Sequence, residues 1–452
     1  MKARKEHFGS KFAAIMALAG SAIGLGNIWR FPYMVGQYGG AAFIIVYILC
    51  TIFISLPIFL SETMVGRAAE NSPIGAMKHF APGSKWTILG IFCVITPTLI
   101  SSYYSVVGGW SLGYLFRSCV TTFAAESVSD SAALFASFSQ STWLPLILHT
   151  LFLGISAFII LKGVKAGIEK FTKVTMPVLF AVIVILMIYS LMLPGAQAGV
   201  DYMIKPDFTK LNGRAIASAM GQSFFSLSLG AGTILTYASY MNKKDNILSS
   251  GAWTSFFDLS FALIAGFAVM PAVFAGGIEP AAGPSLVFET LPFIFANIGT
   301  VSPILCKIIP ILFFLTILFA ALTSEISLIL VLADHLVDEK HFTRKKATLT
   351  VFAICWVVGA LCSLSFGPLS GIKILGNNIF GFADFCASNI FMTLCSLGMA
   401  IFVGWRMNKT VIQNEFTNNG SINKGLFKIL YFLIRFVIPV AILVIFISNF
   451  IS

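Results

Sequence analysis

Two short stretches of helix-poor residues stand inside long apolar runs. One reads Gly20-Ser21-Ala22-Ile23-Gly24-Leu25-Gly26-Asn27, the other Ser226-Leu227-Ser228-Leu229-Gly230-Ala231-Gly232. Each glycine costs about 1 kcal/mol in a helix relative to alanine, so several together mark an interruption. Inside a bilayer an interruption frees backbone N–H and C=O groups, and each costs several kcal/mol until something polar meets it. A hard cation satisfies carbonyls. The N-termini of half-helices favour an anionic group such as a carboxylate. The chemistry to expect is therefore binding: a cation such as Na⁺ and a carboxylated solute at one depth. Close helix packing is the alternative reading of the same glycines.

Other residues converge on that chemistry. Asn27 offers an amide oxygen beside the first break, Ser226 opens the second, and Asp258 lies in the apolar stretch FFDLSFAL. A carboxylate at that depth calls for a bound cation or a paired charge. Thr323 and Ser324 add hydroxyls, whose plainer use is bonding to their own helix backbone. Arg30 needs an anion, and Asp384 is the candidate. An all-oxygen donor set suits a hard cation, and the eight cysteines contain no CxxC pair that would hold a soft metal. The five histidines (7, 79, 149, 335, 341) form no triad-like spacing with a nucleophile, so no enzyme is expected.

The elements that must position these residues follow from composition. Of 452 residues, 58% are hydrophobic and only 10% charged, which excludes a water-soluble enzyme and a disordered chain alike. Apolar runs long enough to cross a bilayer fall at 11 to 37, 41 to 65, 88 to 116, 143 to 161, 171 to 193, 215 to 239, 250 to 275, 303 to 333, 347 to 366, 376 to 404 and 426 to 450. These are numbered spans 1 to 11. The net charge of +11 is spread between the runs rather than gathered in a patch, so no nucleic-acid partner is expected. A cytoplasmic N-terminus places 21 of the 29 Lys and Arg inside and only 6 outside, the positive-inside pattern, and puts the C-terminus outside. The basic start MKARKEHFGSK has no A-x-A site, so the first span is expected to be retained. Helix breaks in spans 1 and 6, five spans apart, point to two inverted halves, 1–195 and 196–407, followed by span 11 in 408–452.

The ordered set GSAIGLGNIWRFP (from Gly20 to Pro32), Gly39-Gly40, Glu62-x-x-x-Gly66-Arg67, GQSFFSLSLG (from Gly221 to Gly230) and Leu322-Thr323-Ser324 resembles the neurotransmitter:sodium symporter family, and most closely its eleven-span bacterial amino-acid carriers. The likeness covers essentially the whole chain. It implies an all-α membrane protein of the LeuT fold, a five-plus-five inverted repeat with discontinuous helices 1 and 6 and one extra C-terminal span. It implies sodium-coupled symport of an L-amino acid by alternating access, in a bacterial inner membrane surrounded by lipid. A non-transporting sensor, a channel, and a carrier of another small carboxylated solute stay open as alternatives.

By the same resemblance two Na⁺ are expected. The first would use Ala22, Asn27, Ser226 and Asp258 with the substrate carboxylate, the second Gly20, Ile23, Ala320, Thr323 and Ser324. Many relatives carry Asn where this chain has Asp258, so a built-in carboxylate is expected to replace bound chloride and to release a proton in the return step. The pocket would comprise Ser21, Ala22, Leu25, Gly26, Ile100, Tyr104, Phe225, Ser226, Ser228, Ala231, Ser324 and Leu328. Tyr104 would hold the carboxylate. Gly24, where amine carriers place Asp, favours substrates that bring their own acid. Ala231, where the leucine carrier has Phe, leaves room for a large apolar or aromatic side chain.

The resemblance also implies gates. Arg30 and Asp384, supported by Gln222, would close the outer side; Lys5 and Asp338, with Tyr240 nearby, the inner side. Relatives usually have Arg and Trp where this chain has Lys5 and Phe8, and Leu330 replaces a polar Gln; lysine cannot form the two-pronged Arg fork. Gly167 and Pro177 match a spacing that unwinds in the family to wet the second sodium. An ordinary loop glycine and kinking proline fit equally well. Glu325 is unusual and receives no role.

Overall fold

The computed structural model describes residues 6–123, 125–278, 284–298, 304–421 and 424–448. Among them, nine helices are long and apolar enough to cross a membrane, and the bent pair Lys11–Ala22 and Gly26–Gln37 makes a tenth. The remaining expected span, 215 to 239, is two helical halves, Gly213–Ser226 and Thr233–Ala238, each shorter than a bilayer. The full helices are span 2 (Ala41–Ala69), span 3 (Thr87–Val120), span 4 (Trp143–Leu161), span 5 (Val164–Leu191), span 7 (Ile247–Ala275), span 8 (Leu305–Lys340), span 9 (Arg344–Leu364), span 10 (Ile379–Arg406) and span 11 (Gly425–Ser448). Spans 2, 3 and 8 run several residues past the apolar runs, because polar residues continue the helices beyond the apolar stretch.

Polar side chains fix where several spans begin. Ser10, Asn212, Asn246, Thr343 and Asn378 each accept a hydrogen bond from a backbone N–H in the first turn that follows. Such caps satisfy donors that a helix start leaves free, worth about 1 kcal/mol each. Helices also form outside the apolar runs, at Pro73–Phe80, Val128–Gln140, Ala196–Ile204, Thr290–Ile298 and Lys409–Thr417.

Span 3 packs on spans 4, 8 and 9, span 7 on span 5, and span 2 on both halves of span 6. The half Lys11–Ala22 of span 1 and the half Thr233–Ala238 of span 6 are almost wholly buried and lie at the centre. Span 11 packs against span 10 and the half Gly213–Ser226 of span 6; only 28% of its apolar window is buried, so it lies at the rim.

Both breaks are present. Span 1 stops at Ala22, Ile23 is extended (ψ 107°), and the helix restarts at Gly26 with a bend of 54°. In span 6 the chain unwinds over Leu227–Gly232, with Ser228, Gly230 and Gly232 at φ +53°, +74° and +66°. Ser228 occupies a region that costs a residue with a side chain about 1–3 kcal/mol, and its hydroxyl donates to the Ser21 carbonyl at 2.9 Å, tying one break to the other. Gly230 admits no side chain: a Cβ there would stand 2.1 Å from the Met392 carbonyl of span 10. Its N–H donates to Glu62 Oε1 at 2.8 Å, so the buried acid of span 2 caps the unwound strand of span 6.

Candidate functional site

The break in span 1 exposes the Ser21 and Ile23 carbonyls, and Ser324 Oγ on span 8 reaches them at 3.4 and 3.3 Å. Gly20 lies against Thr323 and against Thr172 of span 5. Of the residues expected at the second sodium site, Ser324 therefore faces the break. Thr323 donates to Phe319 and Ala320 within its own helix, the plainer alternative raised by the sequence. While donating, its oxygen keeps lone pairs that a cation shared with Gly20, Ile23 and Ala320 would use.

The residues expected at the first site form a tight polar nest. Asn27 Nδ2 donates to Ser226 Oγ at 2.9 Å and to Asp258 Oδ1 at 2.7 Å, and Ser226 Oγ donates to the Asp258 carboxylate. Tyr47 of span 2, which sequence reasoning missed, donates to Ser226 Oγ at 3.2 Å and faces Asp258 Oδ2 at 3.5 Å. Asp258 is fully buried, and among the described residues no Lys or Arg pairs with it. A buried carboxylate held by neutral donors alone lacks a charged partner, and at this depth a bound cation or a proton must neutralise it. As oriented, Asn27 Oδ1 accepts the Gly24 N–H at 3.1 Å, so cation binding here requires the amide to turn.

Above the nest, one cavity is lined by Ala22, Leu25, Gly26, Ile100, Tyr104, Phe225, Ser226, Ser228, Ala231, Ser324 and Leu328, joined by Gly24, Asn27 and Met392. The expected pocket residues are brought together except Ser21. Its side chain turns instead to Ser327 Oγ at 2.9 Å, because the last turn of helix before the break aims it at span 8. Met392 of span 10 is an unforeseen wall. Tyr104 Oη accepts the Leu25 N–H at 3.2 Å, so a hydroxyl and a half-helix N-terminus meet at one point. A Cβ on Gly24 would lie 2.6 Å from Ser324 Oγ and 3.1 Å from Tyr104 Oη, which leaves no space for an acidic side chain.

A vestibule of about 370 Å³ adjoins the cavity at Leu25, Gly26, Tyr104 and Phe225 and continues past Trp29, Arg30, Tyr103, Phe380 and Asp384. Arg30 rests over the Phe225 ring at 4.8 Å, and Asp384 accepts from Ser388 at 2.9 Å. Arg30 and Asp384 line the vestibule without forming an ion pair in this conformation. Gln222 donates to the Gly26 carbonyl at 3.1 Å rather than to Arg30.

On the opposite side the chain is sealed. Phe8 is buried edge-on against Tyr237 and Tyr240, where relatives are expected to carry Trp, and its N–H donates to the Tyr240 carbonyl at 3.0 Å. Lys5 lies outside the described residues. Tyr240 donates to Asp334 at 2.5 Å, with Arg344 4.0 Å from the same carboxylate, while Asp338, one turn further, accepts from the Ser72 N–H at 3.1 Å. The carboxylate on Tyr240 is thus Asp334. Span 5 is wound through Gly167 and Pro177, and the N-terminal segment holds its start: Val164 N–H donates to Glu6 at 2.9 Å and Gly9 N–H to Glu169 at 2.8 Å.

Comparison with known proteins agrees with this arrangement. The model of the sodium:neurotransmitter symporter family matches residues 5–133 and 134–452. YhdH of Bacillus subtilis (strain 168), an uncharacterised sodium-dependent transporter, is 36% identical over 97% of this chain and 96% of its own length. An uncharacterised sodium-dependent transporter of Haemophilus influenzae is 34% identical over 99% of this chain and 98% of its own. The crystal structure of MhsT in complex with L-phenylalanine superposes with a TM-score of 0.90 at 37% identity, covering 99% of this chain and 100% of that one. With two interrupted helices around one buried polar site, a LeuT-type fold and matches along its whole length, this chain belongs to the sodium:neurotransmitter symporter family and is a sodium-dependent membrane transporter rather than an enzyme.

Proposed function

We propose that the chain carries an L-amino acid with a large apolar or aromatic side chain, together with two Na⁺, by alternating access and without chloride. The observation that carries this reading is the meeting of three chemistries in one cavity. Tyr104 Oη and the Leu25 N–H face each other at 3.2 Å and suit a carboxylate; the Ser21 carbonyl and Ser228 suit an ammonium; Ile100, Phe225, Ala231, Leu328 and Met392 suit an apolar side chain. The substrate carboxylate and Asp258 would flank the first Na⁺, and Gly20, Ile23, Ala320, Thr323 and Ser324 would hold the second. MhsT, the similar structure, was solved with L-phenylalanine.

The cycle follows from the two faces. An open vestibule above a Phe225 lid, with a sealed cytoplasmic side, admits solute and sodium from outside. Closure of Arg30 on Asp384 and release of the Phe8, Tyr240 and Asp334 contacts would open the inside. Asp258 returns to the outward state with a proton in place of sodium. We place the N-terminus in the cytoplasm of a bacterial inner membrane, the C-terminus outside, and the two halves 1–195 and 196–407 as the inverted repeat, with span 11 appended. The test is binding of radiolabelled L-phenylalanine to the purified chain, competed by all twenty amino acids with and without sodium. Competition by Trp, Phe and Leu only in sodium supports the reading; binding indifferent to sodium contradicts it.

A further inference from the structure

Glu325 is fully buried on span 8, yet neither expected sodium site uses it. Its Oε1 accepts a hydrogen bond from Ser101 Oγ of span 3 at 2.5 Å, and its Oε2 has no partner among the described residues. A buried carboxyl half left without partners costs free energy that a leucine of similar size does not, so packing alone does not explain it.

The neighbours of this bond do suggest a use. Ser101 and Tyr104 sit three residues apart on span 3 and share a face. Glu325 directly follows Ser324 on span 8. Tyr104 Oη takes the Leu25 N–H at 3.2 Å, Ser324 Oγ reaches the Ile23 carbonyl at 3.3 Å, and both hydroxyls crowd Gly24 between them. The Glu325–Ser101 bond therefore ties span 3 to span 8 one turn from Tyr104 and one residue from Ser324, the two hydroxyls that face the same break.

We propose that Glu325 is a positioning residue which, by holding Ser101, locks Tyr104 and Ser324 together so that amino acid and second sodium bind as one cooperative unit. This rests on the roles given to Tyr104 and Ser324 in the proposed function. The linkage requires no motion through Glu325, only that the two helices keep one register while the break closes on its ligands.

The experiment measures the Kd of L-phenylalanine on the full purified chain at low and high sodium, and reads the ratio as coupling. Wild type is expected to show a large ratio, and Glu325→Leu to reduce it about tenfold, within the range of linked sites. Ser101→Ala, which deletes one hydroxyl, should give the same loss and serves if the leucine variant fails to fold; the double variant should add nothing further. Glu325→Gln keeps the acceptor and should keep the coupling. Wild-type coupling in Ser101→Ala, additive losses in the double variant, or a glutamine variant as uncoupled as leucine would each overturn the proposal. A wild type whose phenylalanine affinity ignores sodium would overturn the transport reading as well.

Discussion

Ser226 Oγ stands 2.8 Å from both carboxylate oxygens of Asp258, at the end of the first half of span 6, Gly213–Ser226. The contact joins the break in span 6 to span 7, and with Asn27 it joins both to span 1. Any cation in this nest faces a carboxylate that belongs to the protein.

That charge makes a chloride prediction. Replacing chloride by gluconate should leave wild-type uptake unchanged. Asp258→Asn removes the charge but leaves three donors, Tyr47 Oη, Ser226 Oγ and Asn27 Nδ2, around a neutral amide. Such a donor cluster suits a small anion. The variant should lose about tenfold or more in sodium affinity and gain stimulation by chloride, both measured by uptake across an ion series. A chloride requirement in wild type would contradict the assignment.

Gly24 gives a second prediction. Its Cβ position meets Ser324 Oγ at 2.6 Å and Tyr104 Oη at 3.1 Å, the ends of two side chains rather than backbone. Gly24→Ala should therefore fold normally while displacing one hydroxyl, weakening sodium-dependent binding about tenfold, the scale of one lost buried hydrogen bond to a charged group. Unchanged affinity in the folded variant would show that the two hydroxyls do not act together.

Ala231 lines the pocket beside Ile100, Phe225 and Leu328. Ala231→Phe should fill the space for a ring and move preference from aromatic substrates toward Leu or Ala. Competition profiles like those of wild type would remove Ala231 from specificity.

How much of this was legible in the sequence differs from part to part. The breaks were visible because Gly and Ser at mid-membrane oppose helix formation against an apolar background. Tyr47 and Met392 were not, because each lies in a span that the sequence marks only as apolar; only the fold brings them to the site. Asp334 and Asp338 lie four residues apart on one helix face, so spacing did not decide which meets Tyr240. The helix Val128–Gln140 and the other short helices escaped because a search for long apolar runs passes over short or polar segments.

Arg67 makes a stability prediction separate from transport. It is 2% exposed, pairs with Glu415 at 2.6 Å, and donates to the Glu415 and Asp245 carbonyls, pinning the helix Lys409–Thr417 against spans 2 and 7. Glu415 is partly exposed, so the loss on Arg67→Met is put at about 2 kcal/mol, below the range for fully buried pairs. The melting midpoint in detergent should fall, with substrate affinity kept in the folded fraction. An unshifted midpoint would mean that the network contributes nothing.

The central claim is that two interrupted helices bind an amino acid and sodium as joint cargo. Its most direct test is uptake of labelled L-phenylalanine into proteoliposomes under an inward sodium gradient. Accumulation above the external concentration, collapsing when a sodium ionophore dissipates the gradient, is the predicted result. Uptake that is equally fast in potassium, or that stops at equilibration, would contradict it.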